Sequence, residues 1–185
     1  MSKNFGPKPY IYPQPVMMIG TYDKNGKPNL MNAAWGGIAG DDEVLVCLGA
    51  HQTTDNIEVN KAFTLSPATA EKVAECDYVG IVSQKNVSDK MDRAGFSTRK
   101  SEFVNAPVIN ELPLTLECEL VKVIDKEKYI GKIINVMADD SILDENGKIT
   151  LEKFHPIVFD MVGLGYYAYG QKVGTPFSDG KKIKK

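Results

Sequence analysis

Histidine and cysteine are scarce in this chain of 185 residues, which holds two of the first, three of the second and a single tryptophan. Cys47, Cys76 and Cys118 are odd in number, widely spaced and form no Cys-x-x-Cys pair, which argues against a disulfide framework and against a metal site. Cys47 lies in the apolar run 44–48 and Cys118 in the apolar phase of an alternating segment, so both read as small buried hydrophobes. A basic surplus is missing too: the formal net charge is −2 and the pI about 5.7. That balance argues against nucleic-acid binding, which needs Lys and Arg to displace counterions. No run approaches the roughly 20 apolar residues of a membrane helix, and the first seven residues lack the apolar core of a signal peptide, so neither a membrane nor export is expected and the cytoplasm is the expected location. Neither a Gly-x-Gly-x-x-Gly fingerprint nor an internal repeat is present, and the one basic run, 181–185, reads as a frayed tail.

What is present fits one domain over residues 1–185, with enough apolar content, 43%, to build a core. Pro7, Pro9, Pro13 and Pro15 predict an extended arm over 1–15. Residues 16–22 are rich in strand formers, and Asp23-Lys24-Asn25-Gly26 is turn chemistry that predicts a hairpin into a strand over 28–35. A third strand is expected at 44–48, a short helix capped by Thr53 or Thr54 through about Asn60, and a strand at 62–65. Ser66-Pro67 predicts the start of a second helix over 68–76, ended by Asp77-Tyr78-Val79-Gly80. Residues 83–104 read as a long excursion over the surface, with room for a short helix at 87–91. Beyond Pro113, Leu114, Leu116, Cys118 and Leu120 alternate with polar residues as a long antiparallel strand, with 129–137 as its partner and final strands at 157–160 and 166–169. Many strands, few short helices and no βαβ rhythm predict a mainly β fold, an antiparallel barrel rather than a doubly wound sheet.

Two stretches carry candidate chemistry. The first holds the amides Asn29 and Asn32, the small residues Ala33 and Ala34, and Trp35, a surface able to lie against a flat aromatic ligand and bond its edge. The second, with His51, Thr53, Thr54 and Asn56, is the polar start of a helix, where backbone N–H groups and hydroxyls can hold a phosphate. Together they suggest a flavin mononucleotide (FMN) site. Each residue also has a plain structural reading. Thr and Asn are ordinary caps, a lone Trp in a strand is usually core, and Asn29 can simply close the hairpin. Tyr166, Tyr167 and Tyr169, interleaved with glycines, suit a ligand lid or a dimer contact equally. Asp89, Lys90, Asp92 and Arg93 read as a solvated helix face. Asp139 and Asp140, adjacent in a strand, point to opposite faces and make a poor metal pair.

A wider likeness rests on several pieces in fixed order. They are Pro15-Val16, Gly26-Lys27-Pro28-Asn29-Leu30 into Ala33-Ala34-Trp35, His51-x-Thr53-x-x-Asn56-Ile57, Ala138-Asp139-Asp140-x-Ile142-Leu143-Asp144, and Pro156-Ile157-Val158-Phe159-Asp160 followed by Tyr166-Tyr167-x-Tyr169-Gly170. On these the chain resembles the flavin reductase-like, FMN-binding split-barrel family, and within it the flavoredoxin-like branch. The resemblance implies an antiparallel split β-barrel, a homodimer, one FMN per subunit near the dimer interface, and electron transfer through that flavin. It implies that 29–35 borders the isoalloxazine and ribityl chain and that 51–56 takes the phosphate. Lys90 is implied as a second phosphate cation, and Tyr166 or Tyr167 as a cover for a ring face. No catalytic residue is implied, because the flavin performs the chemistry. NAD(P)H is the implied co-substrate. The short flavin reductases, however, carry a Gly-Asp-His before the strand that here begins at Lys128, and this chain has none. Reduction by a redox partner protein and a non-redox flavin-binding role therefore stand as alternatives.

Overall fold

In the computed structural model, which describes residues 1–183, the amino-terminal arm ends in a two-residue strand, β1 (Gln14–Pro15), and the apolar run behind it forms β2 (Met17–Tyr22). Met17, Met18 and Ile19 are all buried, because both faces of β2 are covered and the strand has no solvent side to alternate against. The Asp23 carboxylate accepts from the N–H groups of Asn25 (2.8 Å) and Lys27 (2.9 Å), and Gly26 takes a φ of +79°, which closes a tight turn. β3 (Pro28–Ala33) then returns antiparallel to β2. A second hairpin, β4 (Gly36–Ile38) with β5 (Glu43–Cys47), leads to α1 (Gln52–Asn60) and β6 (Ala62–Pro67).

The helix expected from Ser66 is displaced along the chain. β6 runs through Pro67, a 3-10 turn occupies Ala70–Lys72, and α2 spans Val73–Ile81, so 77–80 continue the helix that they were expected to end. Ser66 is a buried strand residue whose hydroxyl lies 3.0 Å from that of Thr115, and pairing with β2 overrides its capping signal. Residues 83–104 are more than a surface excursion, and the short helix expected at 87–91 lies a few residues further on. They fold into α3 (Lys90–Arg93) and β7 (Thr98–Lys100), the latter paired with β8 (Pro107–Ile109), and they deliver Met91, Ala94 and Phe96 to the core.

β9 (Leu114–Ile124) and β10 (Lys128–Ala138) form the expected long hairpin, but the alternation does not mean one wet face. Thr115 and Glu117 are buried while Leu114, Leu116 and Leu120 are half-buried, so burial does not follow the apolar phase. Glu117 accepts a hydrogen bond from the Asn135 amide at 2.5 Å. α4 (Leu151–Phe154), β11 (Ile157–Asp160) and β12 (Gly165–Ala168) complete the chain's regular elements. β11 lies between β1 and β12, so the strand pairing reaches into the arm. A 3-10 turn at Asp179–Lys182 structures part of the basic tail; Lys184 and Lys185 lie outside the described residues.

The main sheet has the order β3-β2-β6-β9-β10-β5-β4, every neighbour antiparallel. Its two edge strands, β3 and β4, are joined by only Ala34 and Trp35, so the edges must meet at that end and the sheet curls into the antiparallel split barrel that the family resemblance implies. Phe63, Ile19, Val46 and Cys118 fill the interior, and Gly131 lacks a Cβ where one would sit 2.4 Å from the Phe63 ring. A second core, with Met18, Leu30, Val79 and Phe96, packs the outer face of the sheet under α2 and α3. No described helix is long and apolar enough to cross a membrane.

Candidate functional site

Where the barrel splits, β3 faces the carboxyl-terminal half of α2, and a cleft of two joined lobes lies between them. The wider lobe, about 310 Å³, is lined by Asn32, Ala33, Ala34, Trp35, Asp77 and Tyr166 among others. The narrower, about 180 Å³, is lined by Asn29, Thr53, Gln52, Ser83, Gln84 and Lys90. Met31, His51, Gly80 and Ile81 line both, so one elongated ligand can thread them. The approach is close because Gly80 has no side chain: a Cβ there would lie 2.8 Å from the Asn32 Cβ. A larger hollow, about 630 Å³, opens between α1's end and residues 100–105, but among the described residues no unpartnered buried polar atom faces it.

The narrow lobe is built to receive donors and an anion at once. His51, extended at φ −137°, is the N-cap of α1, rather than Thr53 or Thr54. The Thr54 hydroxyl accepts from the His51 N–H (3.0 Å) and donates to the His51 carbonyl (2.8 Å), so it is spent on the cap. The first N–H groups of α1 have no helical partner. Thr53 faces the lobe, its oxygen accepting from the Asn29 amide at 2.9 Å, which leaves its own hydrogen to give. Among the described residues two buried acceptors have no partner, Asn29 Oδ1 and Gln84 Oε1. Gln84 is fixed by its amide, which donates to the Pro28 carbonyl at 2.9 Å.

Lys90 is not on a solvated face. It is 3% exposed, and its ammonium donates to the carbonyls of Val79 (3.0 Å) and Val82 (3.2 Å) at the end of α2, leaving one hydrogen for the lobe it lines. No carboxylate among the described residues bonds it, and burial pushes its pKa down to about 8. Lysine at a helix C-terminus is favourable, but a buried ammonium without an anion is not.

The wide lobe is aromatic with a polar edge. Trp35, 48% exposed, is neither core nor part of β3; its ring lies 6.2 Å from that of Phe159, which lies 5.9 Å from Tyr166. The Tyr166 phenol donates to Asp77 at 2.8 Å, and burial together with that carboxylate pushes the phenol up to about 12. The Asn32 amide donates to the Cys76 carbonyl at 3.3 Å. Cys47, expected to be buried, is half-buried and lines this lobe.

Three expected site residues stand apart. Asn56 turns to the sheet, where its amide donates to Thr21 (3.0 Å) and its oxygen accepts from Gln52 (2.8 Å); Thr54 is spent on the cap; and Tyr167, exposed, lies on the opposite face of β12 from Tyr166. Asn29, Asn32, Ala33, Ala34, Trp35, His51, Thr53, Lys90 and Tyr166 do line the cleft. Asp77, Gly80 and Gln84 were missed. Asp77 and Gly80 lie on a helix misplaced by the Ser66-Pro67 signal, Gln84 lies in the turn behind it, and no spacing in the sequence links Gln84 to Asn29.

Comparison with known proteins gives a consistent answer. The sequence model described as "Flavin reductase like domain" matches residues 10–168. Flavoredoxin of Desulfovibrio vulgaris (Miyazaki F) superposes with a TM-score of 0.92 at 36% identity, covering 97% of this chain and all of that one. Flavoredoxin from Methanosarcina acetivorans superposes with a TM-score of 0.85 at 26% identity, covering 98% of this chain and 99% of that one. An uncharacterized protein of Aquifex aeolicus (strain VF5) is 26% identical over 174 residues, 87% of each chain.

Proposed function

Because the chain belongs to the flavin reductase-like family, on its flavoredoxin branch, we propose that its cleft binds FMN and that the protein is an electron-transfer flavoprotein, an NAD(P)H-dependent flavin or acceptor reductase. The observation that carries the reading is the pair of unpartnered buried acceptors, Asn29 Oδ1 and Gln84 Oε1, beside a buried cation and a helix start. A buried acceptor without a donor costs about 1–3 kcal/mol, and ribityl hydroxyls are donors of the right kind. The phosphate suits the N–H groups of α1, the Thr53 hydroxyl and the remaining Lys90 hydrogen. The flat ring system suits the wide lobe, with the short side chains of Ala33 and Ala34 on one side and Trp35, Phe159 and Tyr166 as its wall.

FMN, once bound, supplies the two-electron chemistry. The chain's part is to hold the phosphate, orient the ring and limit water at the aromatic wall. No side chain need take or give a proton. Purified protein should be yellow, and a fluorescence titration should give saturable FMN uptake. A colourless protein that ignores added FMN removes the reading.

A second reading keeps the flavin and drops the nicotinamide, with a redox partner protein as electron donor. The missing Gly-Asp-His favours it, because Asp125, Lys126 and Glu127 form the turn before β10 instead. Anaerobic mixing with NADH or NADPH separates the two: prompt bleaching supports the reductase, and bleaching only with an added electron-transfer protein supports the carrier. We also propose a homodimer. Phe5, Ile11, Val173 and Phe177 are exposed on the two terminal segments, and a second copy would cover them. Sedimentation equilibrium at twice the chain mass is the expected result.

A further inference from the structure

The cleft is polarised along its length. The wide lobe is lined by no Lys or Arg among the described residues, and its one carboxylate is Asp77; the cation, Lys90, and the helix start lie at the narrow end. Asp77 sits on α2 and is held in place by Tyr166 on β12, whose phenol donates to Oδ1 at 2.8 Å. Among the described residues its other oxygen has no hydrogen bond to a side chain, so the pair presents net negative charge to the lobe.

A ligand with a dianionic phosphate and a neutral ring enters such a field in one direction only, phosphate towards Lys90. The field then acts again during reduction. Oxidised FMN takes up two electrons and one proton, and the ring passes from neutral to anionic. A fixed carboxylate beside it raises the energy of the anionic form more than that of the neutral one. We propose, resting on the FMN reading above, that the Asp77 carboxylate, anchored by Tyr166, holds the midpoint potential of the bound flavin low and so makes the reduced protein a stronger electron donor. Asp77 is a positioning and electrostatic residue here, with no proton to transfer.

The test uses the full chain loaded with FMN and titrated anaerobically with dithionite against a reference dye. Dithionite supplies both electrons and is oxidised to sulfite, while water supplies the proton. Asp77→Asn should raise the midpoint, through a tenfold or greater gain in the affinity ratio for reduced over oxidised FMN, which for a two-electron couple is about 30 mV. Asp77→Glu keeps the charge and should stay near the parent. Asp139→Asn, remote from the cleft, should leave the potential unchanged. An Asp77→Asn protein that binds FMN with an unchanged or lower potential overturns the proposal. If that variant does not fold, Asp77→Ser, which also removes the charge, is measured instead, and an unchanged or lower potential overturns the proposal. Failure of the FMN reading is distinct, since the parent itself would then take up no flavin.

Discussion

Lys90 offers the sharpest test of the phosphate end, because its two linked equilibria move in opposite directions with pH. Burial lowers its pKa from the ordinary 10.5 to about 8 in the free protein. Between those values the unfolded chain binds the proton and the folded chain does not, so the stability of the flavin-free protein should climb as pH rises from about 8 to about 10.5. The charged form is disfavoured by about 3 kcal/mol, at 1.36 kcal/mol per unit. FMN binding runs the other way. The ligand's phosphate is a dianion above its second pKa of about 6, so it needs the protonated amine, and at pH 9 only about a tenth of the free protein has it. The dissociation constant should therefore weaken about tenfold between pH 7 and pH 9. Lys90→Gln should weaken binding at pH 7 by about 10- to 100-fold, the worth of a charged hydrogen bond at about 1.5–3 kcal/mol, and should abolish the pH slope. Flavin fluorescence titrations at several pH values, beside urea unfolding of the flavin-free protein, read both trends. A parent affinity that is flat from pH 7 to 9, or a Lys90→Gln protein that keeps the slope, would falsify the assignment of Lys90 to the phosphate.

Trp35 is the only tryptophan and lines the wide lobe, so its emission should be quenched in proportion to bound FMN; saturable binding without quenching would put the ring system elsewhere. Gly80→Ala should weaken FMN binding and lower stability, although Ala is favoured over Gly in a helix by about 1 kcal/mol, because its Cβ would meet that of Asn32; a net stabilisation on thermal unfolding would refute the close approach. Phe63→Ala, in the barrel interior, should cost about 3–5 kcal/mol in denaturant unfolding, and a loss below about 1 kcal/mol would show that the interior is not packed around that ring. The His155–Glu71 pair (2.6 Å) raises the histidine's pKa and lowers the carboxylate's, each chiefly through their hydrogen bond. The raised histidine stabilises below about 6.5 and loses that as pH rises through its folded pKa; the lowered carboxylate stabilises above about 4.3 and loses that on acidification. Glu71→Gln should thus lower the melting temperature most between about pH 5 and 6 and little at pH 9; an equal loss at every pH would mean that the pair is not ionic.

Local chemistry is legible wherever it is settled within a few residues. The Asp23–Gly26 turn, the β2–β3 hairpin and the β9–β10 hairpin follow from strand formers and turn residues adjacent in the chain. The polar start of α1 is read correctly as a place with spare donors, but the roles within it are reassigned: Thr54 closes the cap, Thr53 faces the cleft, and Asn56 bonds Thr21 across the sheet. Only rotation about the helix axis separates those fates, and that is set by what α1 packs on. Ser66-Pro67 carries a sound helix-start signal, yet β6 needs both residues to complete its ladder with β2, and long-range pairing outweighs a local cap.

The order of short strands and turns, and the absence of a βαβ rhythm, determine by themselves that this protein is a mainly antiparallel β fold with a polar helix start near a small-residue strand. Their physical basis is local, in φ preferences, turn hydrogen bonds and apolar patterning. The cleft belongs to the tertiary structure alone. Asn29 and Gln84 are 55 residues apart in sequence, and Asp77 and Tyr166 89 apart, and they meet because Gly80 lets α2 close on β3 while the curl of the sheet brings its edges together. Lys90 becomes a buried cation rather than a surface charge for the same reason: its solvent was displaced by the end of α2, which no pattern in its own neighbourhood records.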